Sequence, residues 1–276
     1  MRVMLSFAAT VVLAYAAILL LVFVFQPRLV YFPQVERDLA VTPRAIGLGY
    51  EDVSLQTTDG VVLHSWWVPA RQPRGAVLLM HGNAGNISHR LGYLTMFNRL
   101  GYSVLLFDYR GYGKSSGSPG EAGTYRDAEA AWRHLTESRQ FAARDIVIVG
   151  ESLGGGVATW LAEQHPPRAL VLASTFTSVP DLGARVYPWL PVRLLARIEY
   201  GNLSRIGKIE APVMIAHSRH DEIIPYAHGE ALFAAAREPR QFLELSGGHN
   251  DGFLFMRDDW IAAVGAFLER AAVGGK

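Results

Sequence analysis

The chain has 276 residues, half of them hydrophobic, enough for one large domain with a substantial buried core. A formal net charge of +1, with no basic run interleaved with aromatics, argues against nucleic acid or a polyanion as partner. The absence of cysteine excludes disulfides, thiolate metal sites and cysteine nucleophiles, and leaves the redox compartment open.

Residues 3–25, VMLSFAATVVLAYAAILLLVFVF, carry no charge. As a helix the stretch is about 34 Å long at 1.5 Å per residue, against a hydrocarbon layer of roughly 30 Å. It reads as an uncleaved single-pass transmembrane anchor, residues 1–27. A secretory signal is the rival, since AYA at residues 14–16 resembles a cleavage site. Cutting there would leave AILLLVFVF at the new terminus. A buried core helix fits less well, because every face is apolar. Arg2 and the α-amino group lie on one side of the run and Arg28, Arg37 and Arg44 on the other, so the cations set no orientation. QPRLVYFP suits the membrane interface, and a turn-rich linker, 28–48, leads into a domain at 49–276.

Strands and helices then alternate. YEDVSLQTTDGVVLHSWWVP reads as a hairpin turning at Asp59 and Gly60. GAVLLMHG, YSVLLFDY, DIVIVG, ALVLAST and APVMIAHS are short apolar runs of the kind buried on both faces of a parallel sheet. Helical patterns fall at 88–100, 124–138 and 153–164, followed by a helix near 227–236, a strand QFLEL and a last helix at 258–271. The alternation predicts an α/β fold, a mostly parallel sheet with helices on both faces. One connection is long: the insertion at 177–211, apolar and broken by Pro188 and Pro191, reads as a lid over a site, or as a helical decoration.

Two serines match G-x-S-x-G, Ser115 in GYGKSSG and Ser152 in GESLG. A nucleophile elbow needs a strand ending before the serine and a helix starting after it. DIVIVG runs into Ser152 and LGGGVATWLAEQ leads away helically. Ser115 is followed by SGSPGEAG, which starts no helix, so it belongs to a loop. Gly150 and Gly154 leave room where neighbouring side chains would collide, and Gly155 and Gly156 permit close packing of helix on sheet. GYGKSS fails as a phosphate loop because Asp108 stands where the Walker spacing needs glycine.

A serine nucleophile needs a base, and the base an orienting acid, in loops after later strands. Asp221 in RHDEIIP and His249 in GGHND occupy those places, with Glu222 as an alternative acid. Negative charge on a substrate oxygen would be met by the backbone N–H groups of Leu153 and Asn83, with Ala84 as the alternative to Asn83. His81 shapes the loop after its strand, and His217, His220 and His228 are structural or solvent-facing. No metal spacing occurs, and no metal or cofactor is implied.

Together HGNAG, DYRGYGKSSG, GESLGG, HDEIIP and GGHND resemble the α/β-hydrolase superfamily. With the apolar leader and QPRLVYFP, they are similar to its single-pass membrane branch of protein depalmitoylases and serine-aminopeptidase-like hydrolases. The resemblance implies an eight-stranded α/β-hydrolase fold and the roles of nucleophile, acid and base for Ser152, Asp221 and His249. Relatives often carry glycine where this chain has Ser218, which implies a local adjustment of the loop holding Asp221. The expected activity is hydrolysis of a carboxylic ester or thioester through an acyl-enzyme, with small acyl esters or acylated molecules as substrates. Tyr187, Trp189, Leu190 and Leu194 would line an acyl pocket, or simply pack. A peptidase or amidase of the same fold and a non-catalytic, membrane-tethered lipid carrier are the alternatives.

Overall fold

The five apolar runs pair because their backbone groups must bond to one another once water is excluded. In the computed structural model, which describes residues 1–273, they form the centre of an eight-stranded sheet. The last three residues expected in the domain, 274–276, lie outside the described residues. The strands are β1 (Glu51–Gln56), β2 (Val62–Val68), β3 (Ala76–Met80), β4 (Ser103–Phe107), β5 (Ile146–Glu151), β6 (Ala169–Ala173), β7 (Val213–Ser218) and β8 (Arg240–Leu245). Their spatial order is β1-β2-β4-β3-β5-β6-β7-β8. β1 pairs antiparallel with β2, and β2 antiparallel with β4; every other pair is parallel.

The central strands are apolar except at their ends because both faces are covered. In β3, Leu78 joins one core with Trp132, Leu161 and Leu232, while Val77 and Leu79 join the other with Phe97, Trp260 and Phe267. That is the two-residue alternation of a strand, with neither side left to water. The first core packs under α3 (Glu121–Arg133), α4 (Leu153–Gln164) and α8 (Tyr226–Ala235), and the second under α2 (Leu91–Arg99) and α9 (Asp258–Val273). The helix expected at 88–100 begins instead as a 3₁₀ turn, Ile87–Arg90, capped by the Asn86 side chain, and becomes α2 one turn later. The insertion carries α5 (Val179–Val186), α6 (Val192–Leu195) and α7 (Asn202–Ile206).

The apolar leader forms α1 (Arg2–Val30), long and apolar enough to cross a membrane. It runs past the expected end at residue 27 through a break at Phe25, with Pro27 just beyond. Proline is tolerated there because the first turn of a new helical segment has no acceptor for the missing N–H. The stretch read as a linker is docked rather than free. Tyr31 is buried, and the Asn86 side chain donates to the carbonyls of Glu36 and Asp38 at 2.5 and 3.0 Å.

Candidate active site

Because β3, β5, β6, β7 and β8 are parallel, their carboxyl ends emerge along one edge, and the loops that follow gather there. Gly150 of β5 pairs with Met80 of β3, and Glu151 with Ala173 of β6, which aims the chain directly into Ser152. Ser152 has φ +52° and ψ −118°, a backbone that L side chains avoid and that costs on the order of 1–3 kcal/mol. Two bonds hold it: its N–H donates to Ala173 O at 2.9 Å, and Thr175 Oγ1 donates to its carbonyl at 2.7 Å. The turn is tight enough to admit no side chain beside it. A Cβ on Gly150 would stand 2.6 Å from Gly154 O, and one on Gly154 would stand 2.2 Å from Met80 O. Gly155 and Gly156 likewise face Thr175 and Tyr200 too closely for a methyl group.

His249, in the loop after β8, reaches across to this turn. Its Nε2 lies 3.0 Å from Ser152 Oγ, and its Nδ1 lies 2.8 Å from Asp221 Oδ2. Asp221 is 7 % exposed, and its Oδ1 accepts from the N–H groups of Ile223 and Ile224 at 3.0 and 2.7 Å. Burial alone would raise its pKa. The His217 and His249 rings and the Ile224 N–H outweigh that and hold the carboxyl well below the usual carboxylate range. His217, fully buried, donates from Nε2 to Ile224 O at 2.8 Å and stands 3.5 Å from Asp221 Oδ2.

Glu222 is not on the ring. Its Oε2 accepts the backbone N–H of His249 at 2.9 Å, so it fixes the loop that carries the imidazole. Ser218, where glycine was expected, does related work: its Oγ donates to Gly247 O at 2.6 Å and accepts from His220 N at 3.1 Å. One hydroxyl thus ties the loop after β7 to the loop after β8.

The N–H of Leu153 opens α4, where no carbonyl a turn behind can accept it. The loop after β3 lies on the other side of Ser152, and a Cβ on Gly82 would stand 3.3 Å from Ser152 Cβ. Asn83, next in that loop, is clamped through its side chain. Its Nδ2 donates to Val30 O at 2.6 Å, and its Oδ1 accepts from Tyr112 OH at 2.7 Å and Phe32 N at 3.2 Å. His81 is fully buried, with Nδ1 2.7 Å from Gly82 O. Ser115 braces the neighbouring loop, donating to Asp108 O at 2.7 Å and accepting from His64 N at 2.9 Å.

Three contributors escaped the sequence reading: the Asn83 side chain, the Glu222 contact, and a buried ion pair in which Arg90 Nη2 lies 2.9 Å from Glu151 Oε1. Only the last had a signal, a glutamate closing an apolar strand next to the serine. The residues expected to line an acyl pocket lie mostly at the surface. Tyr187, Trp189 and Leu194 are 50, 58 and 87 % exposed, and only Leu190 is buried. α5 ends at Val186, and Pro188 and Pro191 keep the next residues from continuing it. Arg193 pairs with Asp181 at 3.0 Å along the surface, and the apolar side chains beside it are left outside. A cavity of about 340 Å³ between α5, α6 and α8 is lined by Asp181, Arg185, Arg193 and His228 together with two alanines, not by those four residues. Among the described residues, no group of three or more histidine and acidic side chains is arranged to hold a metal.

Sheet order, elbow and flanking loops define an α/β-hydrolase fold. The model of that fold matches residues 75–197. An Arabidopsis thaliana protein named WAV2, described as an α/β-hydrolase domain-containing protein, is 35% identical over 273 residues, covering 90% of this chain and 89% of its own. A Saccharomyces cerevisiae protein described as a membrane protein is 32% identical over 237 residues, covering 82% and 84%. An esterase of Pyrococcus furiosus superposes with a TM-score of 0.71 at 22% identity, covering 86% of this chain and 98% of the esterase. The chain belongs to the α/β-hydrolase family.

Proposed function

We propose that this protein is a membrane-tethered serine hydrolase that opens carboxylic esters or thioesters by acyl transfer. Family membership and an esterase among the similar structures support a hydrolase. The observation that carries the serine mechanism is the continuous line from Asp221 Oδ2 through His249 to Ser152 Oγ, 2.8 and 3.0 Å at its two joints, ending on a strained turn.

In this mechanism Asp221, held ionised, fixes the proton of His249 on Nδ1 and leaves Nε2 as the base. His249 takes the Ser152 proton as Oγ attacks the carbonyl carbon, and the tetrahedral oxyanion is received by the N–H groups of Leu153 and Asn83. His249 returns the proton to the departing alcohol or thiol. Water, deprotonated by the same ring, attacks the acyl-Ser152 carbonyl and frees the acid. α1, with its uncharged run at 3–25, and the membrane protein among the relatives support the tether.

A serine-directed fluorophosphonate tests the class. Labelling of the intact protein that disappears in Ser152→Ala is the expected result; no labelling, or equal labelling of the variant, favours a lipid carrier. p-Nitrophenyl esters set against aminoacyl p-nitroanilides then separate esterase from peptidase, and turnover of the anilides alone would overturn the ester assignment.

A further inference from the structure

α1 and the insertion run side by side, joined in register. Tyr15 OH donates to Trp189 O at 2.9 Å. Gln26 Nε2 donates to Leu195 O at 2.6 Å, and its Oε1 accepts from Arg197 N at 2.8 Å. The Arg197 guanidinium lies 4.9 Å from the centre of the Phe23 ring, and Tyr31 OH lies 3.0 Å from Tyr200 OH. From Gln26 back to Tyr15 the helix covers about 16 Å. Trp189 therefore sits beside the middle of the apolar run, not at its end.

The side chains at this tip suit such a position. Val186, Tyr187, Trp189 and Leu194 are each at least half exposed; of the cations beside them, Arg193 pairs with Asp181, Arg197 lies on the Phe23 face, and Arg185 lines the cavity shared with Asp181 and His228. Exposed apolar surface of this kind marks an interaction site.

We propose that the tip of the insertion, residues 186–194, is embedded in the lipid bilayer alongside α1, so that anchor and insertion form one lipid-binding surface. The proposal rests on the tether assigned to α1. Any depth that places the apolar run in hydrocarbon takes the tip into the same leaflet, because the two are bonded at the middle of the run. The occupant of the exposed patch is the acyl region of the bilayer. Since Val30 and Phe32 are bonded to Asn83, beside the Ser152 turn, the reacting centre stands where the anchor leaves the membrane.

The chain has no cysteine, which permits a single-site probe. Full-length Leu194→Cys, labelled with a polarity-sensitive fluorophore, is reconstituted into phosphatidylcholine vesicles, with Glu137→Cys, exposed just past the end of α3, as the control. The expected result is a blue-shifted emission at 194 and a water-like one at 137. In parallel, lipids brominated on their acyl chains should quench the tryptophan fluorescence of the unlabelled protein. Most of that quenching should be lost in Trp189→Phe, because the other five tryptophans are buried or half-buried. Protein that floats with the vesicles but shows a water-like 194 probe and undiminished quenching in Trp189→Phe overturns the inference and leaves the tether standing. Protein that does not float overturns both. Energy transfer between labelled copies without bromine quenching would assign the patch to a second copy and would also overturn the inference.

Discussion

Replacing Asp221 by asparagine tests the catalytic line at its least exposed joint. The Oδ1 position of Asp221 receives two N–H groups, at 3.0 and 2.7 Å, so the asparagine carbonyl must take that place. Its NH₂ then faces His249 Nδ1, where a carboxylate oxygen stood at 2.8 Å. Two donors cannot share that contact, and the imidazole must move its proton to Nε2, the nitrogen 3.0 Å from Ser152 Oγ. The base is lost although no atom has to move. In serine hydrolases of this arrangement the wrong tautomer lowers kcat by about 10⁴, equivalent to about 5.4 kcal/mol in the barrier. KM should change little, because the substrate touches neither group. Steady-state hydrolysis of a p-nitrophenyl ester, with a thermal melt to establish folding, measures both. Glu222→Gln is the companion variant: Glu222 holds the His249 backbone rather than its ring, so the loss should be far smaller. A folded Asp221→Asn within tenfold of the wild type, or a Glu222→Gln as impaired as Asp221→Asn, would refute the reasoning.

Three more outcomes are expected. The depressed pKa of Asp221 stabilises the fold at pH values above its unfolded value, near 3.9, and this contribution disappears as pH falls below that point toward the folded value. The melting temperature should therefore drop less between pH 6 and pH 3 in Asp221→Asn than in the wild type, and equal drops would count against it. Gly154→Ala places a methyl group against the Met80 and His81 carbonyls, at 2.2 and 2.6 Å, neither of which can swing aside. It should cost about 1–3 kcal/mol in urea unfolding, with loss of ester turnover. Arg90→Met leaves Glu151 as a buried unpaired charge, a loss of about 3–5 kcal/mol that Arg90→Met with Glu151→Gln should partly restore.

The sheet was readable because a strand covered on both faces must be apolar along its length: β3 and β6 are so throughout, and β4, β5 and β7 carry polar residues only at their ends. The elbow was readable because a strand, a strained serine and a glycine-rich helix start leave their order in the chain; Gly155 and Gly156 face Thr175 and Tyr200 as close packing requires. What stayed hidden depends on single polar atoms meeting across long separations. Nothing in the neighbourhood of Asn86 says that its side chain holds the carbonyls of Glu36 and Asp38, so residues 28–48 read only as a turn-rich linker. Nor does an apolar residue declare which way it faces in an insertion broken by two prolines. Tyr187, Trp189 and Leu194 had the composition of a pocket and the position of an outer surface.

The fastening of Asn83 bears on how the protein is prepared. To dissolve it in water, one would trim the apolar leader, and Pro33 is the natural place to cut. That cut discards Val30 and Phe32, and with them two of the three groups that hold the Asn83 amide in place. If Ser152 is the nucleophile as proposed, a preparation shortened to Pro33 and one shortened only to Arg28 should differ in turnover while sharing that serine. The point of truncation is itself a kinetic variable.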